Sequence, residues 1–205
     1  MAKAVLISIK PKWVEKIMSG KKTIEIRHTA PKEVPFKAFI YCTKDKPYLY
    51  RVDDDNNFEL TNTLRPKTYE YVKDYNEQNG KIIGEFICDK VYLIKNQGSR
   101  FSVADEEQSV TNEIARQSCL DYDDMVSYLG DKDGYGLHIT DLKIYDRPRE
   151  LSEFFKPCPT KEKGDCLSCD CLADNDYGGV CTNNLTRPPQ PYMFVEEIEA
   201  SKEKQ

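Results

Sequence analysis

The sequence predicts an α+β domain in which short helices decorate a mixed set of strands. Three observations predict it. Val5 to Lys10 alternates as a strand, a short helix follows, and Thr23 to Arg27 returns to a period of two. Lys81 to Lys95 and Tyr135 to Tyr145 are longer strand-like runs. Between those two, Val103 to Leu120 and Tyr122 to Leu129 read as helices.

Taken in order, Pro11 supplies the fixed φ and missing N–H that suit a helix's first position. Trp13 then pairs with Ile17 and Val14 with Met18 at i,i+4 spacing, and Gly20 suits a left-handed cap. In the strand that follows, Ile24 and Ile26 face a core while Thr23, Glu25 and Arg27 share the other face. An exposed strand edge is the bland alternative for that polar face. Pro47 to Val52 and Phe58 to Asn62 are expected to pair as a hairpin across Asp53-Asp54-Asp55-Asn56-Asn57. That acidic turn reads as a solvated loop, because it lacks the glycine and distal glutamate of a calcium hand.

Lys67 to Glu77 is a helix candidate, and Lys81 to Lys95 is expected to be one central strand. Asp121 is placed to cap the Tyr122 helix, Gly130 to close it, and the helical pair to cover one end of the strands. Gly134 and Gly136 ease entry to the next strand, and Pro148 marks its exit. Arg187-Pro188-Pro189-Gln190-Pro191 forms a stiff approach to the last strand, Tyr192 to Glu197. The whole reads as one domain over 1–200, with a helical insertion at about 101–132, a cysteine-rich insertion at about 156–184 and a frayed tail at 201–205.

Charge focuses attention on the opening. Between Lys10 and Arg27 stand six cations and two acids, +4 in a chain of net −5, so the remaining residues carry −9. A local basic focus of this kind favours a small anionic or polar ligand. The acidic remainder argues against long duplex binding and directs any nucleic-acid partner toward short or single-stranded forms. Gly20-Lys21-Lys22-Thr23 is not a phosphate loop: Glu15 stands where that motif needs its first glycine, and the segment runs helix, turn, strand. No stretch approaches eighteen apolar residues and the start has no signal-length apolar run, so a cytoplasmic protein without a membrane span is expected.

Five of the eight cysteines, Cys158, Cys166, Cys169, Cys171 and Cys181, crowd into a segment rich in Gly, Asp, Asn and Pro with little aliphatic core. Such a loop needs a staple. In a reducing compartment the preferred one is structural zinc on Cys158, Cys166, Cys169 and Cys181, with Cys171 as substitute. Reduced thiols and a redox pair at Cys166 and Cys169 are the alternatives. Cys42, Cys88 and Cys119 read as small packed residues. His28 and His138 read as polar strand residues, each isolated from any nucleophile setting. Thirteen tyrosines offer stacking surface for unpaired bases, although half-burial is their commoner fate.

Val5 to Thr43 with its Gly-Lys-Lys-Thr-Ile-Glu-Ile-Arg, Lys81 to Ile94, Tyr135 to Phe154, and Leu185 to Glu197 with Leu-Thr-Arg-Pro-Pro-Gln together resemble the ASCH domain family. The resemblance implies a PUA-like mixed β-barrel with the cysteine-rich zinc loop inserted before the last strand. It also implies a cleft lined by Lys22, Thr23, Glu25 and Arg27, joined by Arg187 and Gln190, which takes RNA, nucleotides or modified nucleosides. Some relatives are hydrolases, amidases on an acylated cytidine or ribonucleases. The amidases' threonine nucleophile falls here on Glu25, which cannot play that part. Lys22 and Glu25 remain the catalytic candidates if the protein is an enzyme.

Three functions follow as expectations. In the first, Lys10, Lys22 and Arg27 meet phosphate or carbonyl oxygens of RNA or a nucleotide-like ligand while Glu25 accepts from a base. In the second, the protein hydrolyses RNA or an acylated nucleoside with Lys22 as the activated or electrostatic group. In the third, a zinc-stabilised loop captures a protein partner.

Overall fold

The computed structural model describes residues 4–44, 49–52, 58–61, 79–98, 100–104, 106–157, 172–173, 180–181 and 183–196. The chain opens as β1 (Ala4–Ile9), α1 (Pro11–Met18) and β2 (Ile24–Arg27). There follow β3 (Phe36–Cys42), β4 (Leu49–Val52), β5 (Phe58–Thr61), β6 (Ile82–Cys88), β7 (Val91–Asn96) and β8 (Phe101–Val103). Two helices, α2 (Gln108–Ser118) and α3 (Tyr122–Leu129), precede β9 (Gly134–His138) and β10 (Thr140–Arg149). The last strands are β11 (Leu172–Ala173), β12 (Val180–Cys181) and β13 (Tyr192–Val195).

Among the described residues the strands do not close into a barrel, contrary to the expected architecture. They form a five-stranded sheet, β10-β6-β3-β1-β13, and a four-stranded sheet, β2-β9-β7-β8. β1 and β3 are parallel and the other pairs antiparallel. No ladder joins the edge strands β10 and β13 of the first sheet to β2 and β8 of the second among the described residues, and the chain changes sheet at two corners. At Asp89 and Lys90 it passes from β6 to β7, and at Ile139 from β9 to β10. Hydrogen bonds pin both corners, His138 N–H to Lys90 O at 3.0 Å and Ile139 N–H to Thr23 O at 2.8 Å. The runs Lys81 to Lys95 and Tyr135 to Tyr145 are therefore two strands each, not one.

Other boundaries also move. Val103 belongs to β8, where its N–H donates to the Thr111 hydroxyl at 3.0 Å, and α2 begins five residues later. Pro148 lies inside β10 instead of ending it; β10 is an edge strand, and Pro148 falls in the register shift between Ile144 and Arg149 where its ladder with β6 is interrupted. The hairpin is present, with Leu49 opposite Thr61 and Val52 opposite Phe58. The Lys67 to Glu77 segment and the Asp53 to Asn57 turn lie outside the described residues.

Three apolar clusters hold these layers. β1 is buried on both faces: Val5, Ile7 and Ile9 pack with Val14 and Ile17 of α1 and Ile83 and Phe86 of β6, while Ala4 and Leu6 pack with Phe39, Phe154 and Leu185. Such a strand reads as a continuous apolar run instead of an alternating one. The second sheet packs Ile24, Ile26 and Ile94 against Ile114 of α2 and Met125 and Leu129 of α3. Trp13 touches the clusters of both sheets and so joins α1 to each. Among the described residues, no helix is long and apolar enough to cross a membrane.

Candidate functional site

Strand alternation sends Ile24 and Ile26 of β2 into the second core, so Glu25 and Arg27 face the other way. That side is not solvent. The end of β1, the start of α1, α3 and the Pro188–Pro189 segment wall it into a cavity of about 480 Å³, within the range of small-molecule sites. Glu25 is only 5% exposed, Arg27 6% and Lys22 2%. The solvated strand edge is thereby excluded.

Burying three charges is costly unless they compensate one another. Here they do. Lys22 Nζ lies 3.3 Å from one Glu25 carboxylate oxygen, and an Arg27 terminal nitrogen lies 3.1 Å from the other. Lys22 also donates to Ser118 O at 2.6 Å, and Arg27 donates to Ser8 O. Arg27 Nε is buried and has no acceptor among the described residues. Carboxylate oxygens each retain a lone-pair direction beyond their ion pair, so Glu25 can still accept from a ligand.

The surrounding positions fix this triad. Gly20 turns the chain with φ +71°, beyond the Ser19 cap, and Lys22 N–H donates to Lys16 O at 2.8 Å. Thr23 N–H donates to Gln117 O at 2.9 Å, which docks the end of α2 on the start of β2. Ser8 Oγ donates to Pro189 O at 2.7 Å and ties the proline segment to β1.

Of the residues expected to bind ligand, Lys10, Lys22, Glu25, Arg27 and Gln190 line the cavity. Thr23 does not; its backbone bonds Gln117 O of α2 and Ile139 N–H. Arg187 is exposed and outside the lining. Sequence reasoning missed Trp13, Tyr128, Asp124 and Ser118. The chain's sole tryptophan beside Lys12 and Lys16 was a usable signal: Lys12, Lys16 and Lys22 lie 4.3, 5.0 and 5.1 Å from its ring centroid. Burial raises the Tyr128 phenol above its ordinary value, with the Arg27 guanidinium opposing the shift. Its ring also packs on His28 at 4.7 Å between centroids.

The other expected residues have structural settings. His138 lies in β9 and bonds Asp89 at 2.7 Å, a partner that holds the Asp89 carboxyl below its usual range. His28 falls in a bend after β2. Cys42 and Cys88 are buried in β3 and β6, and the Cys119 thiol donates to Lys21 O at 3.2 Å. Cys158, Cys166, Cys169, Cys171 and the side chain of Cys181 lie outside the described residues. Among the described residues, no group of His, Cys, Asp and Glu is arranged to hold a metal ion.

By sequence the chain matches no family model and no curated protein. Among solved structures it is similar to the ASCH protein of Zymomonas mobilis, at 16% identity and a TM-score of 0.49, over 95% of this chain and 89% of that one. The likeness is one of shape. Two point variants of the same Zymomonas mobilis protein match at the same identity and TM-score, over 96% of this chain and 92% or 90% of theirs. At that distance no residue role passes from those proteins to this one.

Proposed function

We propose that the Lys22–Glu25–Arg27 cavity binds RNA or a nucleotide-like small molecule, with a base turned toward Glu25 and with carbonyl or phosphate oxygens turned toward the cations. The observation that carries this reading is a buried carboxylate flanked by two cations inside a cavity of about 480 Å³. A base presents amino donors and carbonyl acceptors on one edge, and such a mixed edge suits an acid beside two cations. Trp13 adds an aromatic wall.

Titration of the protein with short single-stranded RNA and with free nucleosides and nucleotides tests the reading. Saturable binding that Arg27→Ala abolishes supports it, and absence of binding across the whole set overturns it. Analysis of the same mixtures for cleavage products tests the hydrolase alternative, in which Lys22→Ala should lose turnover.

A further inference from the structure

Lys22 Nζ and an Arg27 terminal nitrogen meet opposite oxygens of the Glu25 carboxylate, at 3.3 and 3.1 Å, so the buried groups stand in the order cation, acid, cation. All three residues line the cavity. An ammonium and a guanidinium only donate and an ionised carboxylate only accepts, which makes that order donor, acceptor, donor. The flanks are anchored as well: Ser118 O holds the Lys22 amine at 2.6 Å, and Ser8 O holds the Arg27 guanidinium.

Within this set donors outnumber acceptors. Lys22 brings three N–H groups and Arg27 five. Besides Glu25, the amine meets Ser118 O, and the guanidinium meets Ser8 O and the Tyr128 hydroxyl. The buried Arg27 Nε–H has no acceptor among the described residues, which marks the same shortage. A ligand that completes the set therefore brings more acceptors than donors, with its donor in the middle.

We infer that the base this cavity takes is of uracil type, whose imide edge of C=O, N–H, C=O sets its donor on Glu25 and one carbonyl on each cation. Among Watson–Crick edges only uracil and its methylated counterpart thymine alternate in this way. Cytosine carries its amino donor at one end of the edge, so placing that donor on Glu25 leaves one cation without an acceptor. Guanine has two adjacent donors, and its amino group would face a cation. Adenine offers one donor and one acceptor. Each mismatch strands a buried polar group, which is the costly case in recognition. This inference rests on the nucleotide-like reading above and names its base.

Calorimetry with uridine, cytidine, adenosine and guanosine, each as the nucleoside and as a short single-stranded RNA of that base, tests it. In whichever form binds, uridine should be held at least about tenfold more tightly than the other three, the discrimination of one well-paired edge. Methylation at N3, which removes the imide N–H, should abolish that advantage. The size-matched control is 5-methyluridine, whose imide is intact, and it should bind like uridine. Glu25→Gln, shown to be folded by thermal unfolding, should narrow the preference over cytidine, because an amide donates as well as accepts. The 3-methyluridine comparison needs no variant and decides even where Glu25→Gln does not fold. Cytidine or guanosine binding as tightly as uridine, equal affinity for 3-methyluridine and 5-methyluridine, or an unchanged preference in folded Glu25→Gln overturns the imide assignment while leaving nucleotide-like binding in place. Failure of every ligand to bind overturns the nucleotide-like reading itself and the imide assignment with it.

Discussion

Lys22 Nζ donates to the carbonyl oxygen of Ser118 at 2.6 Å, across 96 positions of sequence, while lying 3.3 Å from Glu25. Ser118 ends α2, so the cation sits where a helix's unpaired carbonyls and dipole favour positive charge. The helical segment is thus part of the site's construction and not only a cover for the sheet.

Lys22→Met should therefore destabilise the fold as well as weaken the cleft. It leaves the Ser118 carbonyl without its donor and Glu25 with one cation instead of two. Breaking a buried ion pair costs about 3–5 kcal/mol, and the Arg27 contact that remains places the expected loss near the lower end. Urea unfolding measures it; a loss under about 1 kcal/mol, the range of surface pairs, would mean Lys22 is not held as described.

Alkaline pH should weaken the fold through buried neutral acids. Burial pushes the Cys88 thiol up to about 12 from 9.0, and burial with the Glu85 hydrogen bond raises Tyr145 above its ordinary 10.0. A group that stays protonated when folded but ionises when unfolded adds stability below its unfolded value, and loses it as pH rises toward the folded one. Stability should hold to about pH 8.5 and fall progressively above pH 9. Cys88→Ala should show a shallower decline between pH 9 and 10, measured by thermal unfolding across the pH series.

Gly84 marks where β10 presses on β6. A Cβ there would lie 2.4 Å from Lys143 O and 3.1 Å from the Ile144 Cα, beside a register shift in that pairing. Backbone cannot yield as a side-chain tip can. Gly84→Ala should cost about 1–3 kcal/mol, in the range of overpacked interiors, and amide exchange should quicken along β10.

The cysteine pattern predicts one structural zinc per chain, held by thiolates. Elemental analysis of purified protein checks this directly, and Cys166→Ser with Cys169→Ser should remove the metal. Zinc-free protein with full solubility and unchanged unfolding would point to reduced thiols instead.

Residues 11–27 were legible because their signals are local. Pro11 starts a helix, Gly20 ends it, and the alternation of β2 sets Glu25 and Arg27 together on one face. Corners were not legible. Asp89 and Lys90 are only two polar residues between the apolar runs of Lys81 to Lys95, a break without Gly or Pro to mark a turn, and periodicity cannot register that the chain changes its partner sheet there. Nor could local pattern reveal that α3 supplies Asp124 and Tyr128 to the cavity, or that Ser118 receives Lys22, since both depend on contacts far apart in sequence. Arg187 shows the converse: a stiff proline approach fixes the path of the backbone, but not which side its neighbouring side chain takes.

Trp13, the chain's sole tryptophan, is an intrinsic reporter on the cavity wall, which makes one measurement decisive. Indole fluorescence should change saturably as a nucleoside monophosphate or short single-stranded RNA is added to wild-type protein, and the change should vanish in Arg27→Ala. Tight binding by calorimetry with an unresponsive Trp13, or equal binding by Arg27→Ala, would place the ligand elsewhere and contradict the account.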